Sequence, residues 1–137
     1  MSETNSRART IGYWVTTALV AFAIGSGGAA QLAHMPANVE GAAHLGYPAY
    51  LPTILGLWKA LGTLAILAPG LPHLKVWAYA GVVFDLTGAT GSHAACGDVA
   101  WQVLAPAMLA VLAVASWSLR PPGRIVGTLA GPKGGQA

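Results

Sequence analysis

Apolar residues dominate four stretches of the chain, and short clusters of proline, glycine and polar residues separate them. Ile11–Ala33 holds no charged residue and exceeds the ~20 helical residues that cross a hydrocarbon core. Ala49–Ala68, Leu74–Ala94 and Val99–Leu119 follow at similar length. The pattern predicts an all-α membrane protein, a four-transmembrane-helix bundle with spans at about 11–33, 49–68, 74–94 and 99–119. HMPANVEGAAHLGYP (34–48), with two prolines and two glycines, reads as a loop, in part re-entrant. PGLPH (69–73) reads as a tight connection and ACGD (95–98) as a turn. Pro52 falls in the first turn of its span, where a missing N–H is harmless, whereas Pro106 is expected to kink the fourth. Residues 1–10 read as a polar, disordered tail and 120–137 as a flexible, glycine- and proline-rich one.

Composition agrees with a chain built for lipid. Only 8% of its 137 residues are charged and 55% are hydrophobic, against roughly a quarter charged in soluble domains. The net charge of +3 and pI near 9.4 do not imply nucleic acid, because the basic residues scatter to segment ends and form no stripe. Arg7, Arg9, Lys75, Arg120, Arg124 and Lys133 fall in the amino tail, the second connection and the carboxyl tail, while the first and third connections hold no lysine or arginine. By the bias of basic residues towards the cytoplasm, both termini are expected to be cytoplasmic. Trp14, Tyr47, Tyr50, Trp77, Tyr79, Trp101 and Trp117 lie near the span ends, where amphipathic rings prefer the interface. The first apolar run is too long for the core of a typical signal peptide, and three more follow it. A single cysteine, Cys96, excludes an intrachain disulfide.

Two charges break the apolar runs. Lys59 lies in the second span and Asp85 in the third, each near the middle. A lone charge there costs about 3 kcal/mol on insertion scales, so both are expected to face inward. With antiparallel spans each sits roughly eleven residues, about 16 Å, from the outer end and can meet the other. Either they form a working site, or they are a clasp that fixes helix register. Asp85, Ala89, Ser92 and His93 share a face of the third span, as Gly56, Lys59, Gly62 and Thr63 do on the second. Outside the spans, His34, Glu40, His44, His93, Cys96 and Asp98 gather in the two outer connections. Imidazole, thiolate and carboxylate are donors for transition metals, but no spacing matches a recognised metal site. The alternatives are a proton-handling or ligand-orienting outer site and ordinary interfacial polarity. The small-residue run Gly25–Ala30, followed by Gln31, reads as a packing seam, a bend or the wall of a cavity.

Taken together, GYPAYLPTILGLWKALGTLAIL (46–67) and LPHLKVWAYAGVVFDLTGATGSHAACGD (71–98) resemble the DoxX-like family of small four-helix bacterial membrane proteins. The resemblance also takes in IGYWVTTALVAF and the Gly27, Gln31 and Leu32 region, and it rests on Tyr47, Pro48, Lys59, Trp77, Ala78, Tyr79, Gly81, Asp85, Gly88, Ala89, Ser92 and His93. It implies a multi-pass protein of the bacterial cytoplasmic membrane. Because the wider family takes its name from a subunit of a thiosulfate:quinone oxidoreductase, it also implies a quinone-like or other lipophilic ligand.

Two mechanisms and one inert role follow. In a quinone-linked redox component, Lys59, Asp85 and His93 manage protons, with Gly56, Thr63, Ala89, Ser92, Gln31 and Tyr47 around the ligand. Lacking a haem, flavin or cluster motif, such a chain needs a membrane or soluble redox partner for electrons. In a cofactor-free isomerase or cyclase, Asp85 or Lys59 acts as general acid or base. In a non-catalytic assembly protein the pair only holds the bundle. Abundant small residues also suit a homo-oligomer.

Overall fold

The computed structural model describes residues 3–121 and 124. Those residues are helical, with no strand among them: α1 (Glu3–Leu32), α2 (Pro36–His44), α3 (Leu51–Leu67), α4 (Pro72–Ala95) and α5 (Ala100–Ser118). Of these, α1 with 30 residues and α5 with 19 are long and apolar enough to cross a membrane, and α3 is apolar but has 17 residues. The four long helices close a ring in which α1 packs on α3 and α5, and α4 packs on α5 and α3. The short α2 lies against α1 and α3.

Periodicity explains what the ring buries. Val20 and Ile24 of α1, Ile66 of α3, Tyr79, Val82 and Leu86 of α4, and Ala110 and Ala113 of α5 form one core, their three- and four-residue spacings placing each set on a single helical face. The outside is no less apolar: Phe22, Trp77 and Phe84 are each at least three-quarters exposed. An outer surface of that kind suits hydrocarbon, not water.

The seam between α1 and α3 is the tightest in the ring. A Cβ built on Gly28 would fall 2.8 Å from Lys59 Cβ, and one on Gly56 would fall 2.9 Å from the Gly28 carbonyl oxygen and 3.0 Å from Gln31 Cβ. Here glycine is required for backbone approach, and the approach sets where Lys59 stands.

Three helix ends close by one device, in which an N–H reaches back five residues. Met35 N–H bonds Ala30 O at 3.1 Å, Tyr47 N–H bonds Ala42 O at 3.0 Å, and Asp98 N–H bonds His93 O at 3.1 Å. The residue before each has positive φ, with Gly46 at 78° and Gly97 at 71°, values that glycine adopts without steric penalty. The two glycine closures deliver Tyr47 and Asp98 to the same end of the bundle as α2.

Three expectations need correction. Residues 34–48 are not a loop throughout: Pro36–His44 form α2, Pro36 standing in its first turn, where its missing N–H has no partner to lose, and Gly46 closing its end, so the supposed breakers are end signals. Residues 3–10 extend α1 instead of forming a disordered tail. Tyr79, expected at the interface, is 2% exposed in the core, its hydroxyl 2.7 Å from Ser116 Oγ. The carboxyl tail expected to be flexible lies outside the described residues except for Arg120, Pro121 and Arg124.

Gly56→Ala is expected to destabilise the protein by about 1–3 kcal/mol through overpacking at the α1–α3 seam. Gly62→Ala, where a Cβ meets nothing within 4 Å, should be neutral or stabilising by up to about 1 kcal/mol. Unfolding of the two purified variants in detergent measures the difference.

Candidate functional site

Lys59 projects from the middle of α3 and Asp85 from α4, where the two helices face each other. Lys59 Nζ lies 3.3 Å from Asp85 Oδ2, and each side chain is 17% exposed. Below the pair, on the side of the α3–α4 connection, an apolar groove of about 890 Å³ runs between the helices, walled by exposed side chains that include Trp58, Leu61, Leu64, Leu74, Trp77 and Phe84. Above it, under α2, lies a more polar cavity of about 410 Å³. Lys59, Asp85, Leu55 and Phe84 belong to the walls of both. The ion pair therefore stands at the junction of an apolar groove and a polar chamber, each within the size range of small-molecule sites.

Of the residues expected at the site, Lys59, Asp85, His93, Gln31, Tyr47 and Ala89 line the polar cavity together. Gln31 Oε1 is buried there without a hydrogen-bond partner among the described residues. Ser92 Oγ bonds the Tyr47 hydroxyl and so acts by holding that ring. Gly56 and Thr63 fall elsewhere, because the helix turns them to α1: Gly56 sits in the glycine seam, and Thr63 packs against Gly25. Neither lines the groove or the cavity.

At the end of the bundle that carries α2, one carboxylate collects two imidazoles. Asp98 Oδ2 accepts from His93 Nδ1 at 2.6 Å and Oδ1 from His44 Nε2 at 2.6 Å. The Schellman closure at Gly97 explains the first contact, and the end of α2 at His44 supplies the second. The imidazole bonds, first that from His93 and then that from His44, hold the Asp98 carboxyl below its ordinary value of 3.8. His34 instead bonds Thr53 Oγ1 at 2.9 Å, and Cys96 Sγ faces the His44 carbonyl at 3.9 Å. Among the described residues no group of three or more His, Cys, Asp or Glu side chains converges as metal ligands.

A partly buried ion pair on two facing apolar helices, a GYP turn bonded to the Ser-His exit of α4, and the K-x-WAYAG entry to the same helix are in place. The model of the DoxX-like family matches residues 15–116. The chain belongs to the DoxX-like family. Comparison with curated proteins and with solved structures found no match. Family membership and two helices of spanning length mark this DoxX-like chain as a membrane protein.

The opposite end of this DoxX-like bundle holds polar residues that reading along the chain missed. Lys75 is wholly buried and donates to the carbonyls of Ala65 at 2.6 Å, Ile66 at 3.0 Å and Ala68, closing the end of α3. Beside it Thr17 Oγ1 and the Tyr79 hydroxyl each lie 2.7 Å from Ser116 Oγ. A signal was present: Tyr13 and Thr17, Lys75 and Tyr79, and Ser116 and Arg120 are i,i+4 pairs, each on one face of its segment.

Because the Asp98 carboxyl is depressed in the fold, its stabilising contribution is present above about 3.8 and is lost as pH falls through its lower folded value. Asp98→Asn is expected to remove that part of the acid-limb slope, so that unfolding followed below about pH 4 becomes less steep than in the wild type. An unchanged slope would contradict the assignment.

Proposed function

We propose that this DoxX-like chain is a multi-pass protein of the bacterial cytoplasmic membrane. In this reading α1, α3, α4 and α5 form a four-span bundle with both termini cytoplasmic, and the Lys59–Asp85 pair receives the polar head of a quinone-class ligand in a redox component. Basic groups gather at one end of the bundle, where Arg9 donates to Ser118 O at 3.0 Å and Arg124 to Ile66 O at 3.0 Å, while His34, His44, His93 and Asp98 occupy the other. That asymmetry supports cytoplasmic termini.

The observation that carries the ligand is the ion pair at the meeting of groove and chamber. An apolar ring and tail suit the groove, and a head with carbonyl or hydroxyl oxygens suits a wall holding an ammonium donor, a carboxylate and the unpartnered Gln31 oxygen. Lys59 and Gln31 would hold that head; Trp58, Trp77 and Phe84 would flank the apolar part. A quinone, when bound, supplies two-electron, two-proton chemistry, with electrons drawn from a membrane or soluble redox partner. The chain's own contribution is protonic. Asp85 and Lys59 keep an acceptor and a donor inside hydrocarbon, and His93 keeps an imidazole on the chamber wall. His93 is bonded to Asp98, Asp98 to His44, and His44 is 54% exposed, so titratable groups lead from the outer face to the chamber.

Binding of a short-tailed ubiquinone analogue to the purified chain tests this reading, with quenching of the groove tryptophans as the readout. Lys59→Met and Asp85→Asn singly are expected to destabilise the fold by about 3 kcal/mol, because each leaves a partly buried charge alone. The double variant should recover most of that loss yet bind at least tenfold more weakly. Undiminished binding by a folded double variant would remove the pair from the site. Turnover of a lipophilic substrate by the purified chain alone, without a redox partner, would favour a cofactor-free acid–base enzyme.

A further inference from the structure

At the inner end of the bundle, away from the Lys59–Asp85 pair, three cations converge. Lys75 Nζ and Arg124 Nη1 both donate to the Ile66 carbonyl, each at 3.0 Å, so two positive groups flank one oxygen. Arg120 Nη1 reaches Arg124 O at 3.4 Å, and its guanidinium lies 4.9 Å from the centre of the Trp117 ring and 5.7 Å from that of Tyr79. The Arg124 guanidinium packs on Tyr13 and Trp14 at 5.8 and 5.2 Å and donates to the Tyr13 hydroxyl at 3.1 Å. Lys75 is 0% exposed and Arg120 is 5% exposed.

None of these cations has a carboxylate partner among the described residues. The ion pairs there are Lys59–Asp85, His44–Asp98 and His93–Asp98, and all of them belong to the other site. What surrounds the three is carbonyl dipoles, hydroxyls and ring faces. These satisfy individual N–H groups but carry no net negative charge, and buried cations are ordinarily paired. Closing the carbonyls of α3 accounts for Lys75 and for one nitrogen of Arg124. Arg120 closes the end of α5 in the same way through Nε, which donates to the Trp117 carbonyl at 2.7 Å, but its terminal nitrogens have only the Arg124 carbonyl and two aromatic faces beside them among the described residues. Two guanidinium groups at one end of the bundle, one of them reaching the backbone of the other, match an oxyanion with several equivalent oxygens. The half-exposed Trp14 and Trp117 mark this level as the membrane–water interface, where phosphate groups are concentrated.

We propose that Arg120 and Arg124, with the field of Lys75 behind them, bind a phosphate group at the inner end of the bundle. The anion neutralises the cluster and ties the chain after α5 to α1, α3 and α4. This site does not depend on the quinone-class reading of the outer one.

Thermal unfolding of the full-length protein in neutral detergent tests it, at constant ionic strength, with added inorganic phosphate, phosphatidylglycerol or phosphatidylcholine. Phosphatidylglycerol or phosphate is expected to raise the unfolding temperature by a few degrees, on the order of what ligand linkage gives for a chain of this size. Phosphatidylcholine should do less. A shift with inorganic phosphate identifies a soluble anion as sufficient, and a shift with phosphatidylglycerol alone identifies a lipid head group. The Arg120→Gln/Arg124→Gln variant should lose the shift, and the Lys59→Met/Asp85→Asn variant should keep it, which separates this site from the outer one. If the double glutamine variant does not fold, Arg120→Lys replaces it, expected to lose most of the shift together with retention of phosphatidylglycerol in native mass spectrometry. No shift in the wild-type protein with either anion, or a full shift in the arginine variants, would overturn the proposal.

Discussion

A lysine and an aspartate facing each other between two apolar helices constrain everything else in this bundle. Either charge alone among apolar side chains is costly, so α3 and α4 must meet at the level of Lys59 and Asp85. The glycine seam serves the same end from behind: Gly28 and Gly56 let α1 approach α3 so closely that a Cβ at Gly28 would strike the Cβ of Lys59. The position of the ammonium is thus set by backbone contact on one side and by a carboxylate on the other. Pairing offsets part of the penalty of burial while leaving a donor and an acceptor on the walls of both the groove and the chamber.

The two ends of the ring solve different problems. At the end where α3 gives way to α4, side chains close helix termini: Lys75 satisfies the last carbonyls of α3, and Ser116 links Thr17 of α1 to Tyr79 of α4. Hydroxyls bonded across three helices specify which faces meet, in a setting where apolar packing alone discriminates weakly. At the end that carries α2, Asp98 joins His44 and His93, and α2 covers the chamber with few neighbours beyond α1 and α3. Its carboxyl end is tied down through the His44–Asp98 bond. An element held by so few contacts belongs to the low-stability part of a fold.

The long helices were legible because their cause is local. Apolar runs near spanning length, ended by PGLPH and ACGD, announce themselves, and a charge inside such a run stands out against it. Both Lys59 and Asp85 could therefore be named, and helical spacing put Ala89 and His93 on the face of Asp85. Less legible was anything that depends on how one helix turns towards another. Gly56 and Thr63 lie on the same helix as Lys59, yet they face α1, a choice made by glycine packing and invisible to periodicity within one segment. The α2 helix was hidden by its own end signals, since proline and glycine mark helix termini as often as loops. The pairing of His44 with Asp98 joins residues far apart in sequence through two separate turns, and the burial of Lys75 depends on where α3 ends relative to α4. These are tertiary facts, with only the i,i+4 polar pairs to hint at them.

The most direct measurement of whether the two charges are true partners is their exchange. Lys59→Asp and Asp85→Lys each place two like charges together in a nonpolar setting, and each alone should sharply reduce the yield of folded, detergent-stable protein. The exchanged double variant should restore it towards the wild-type level. A double variant as impaired as either single one, or single variants as stable as the wild type, would contradict a bundle organised around this pair.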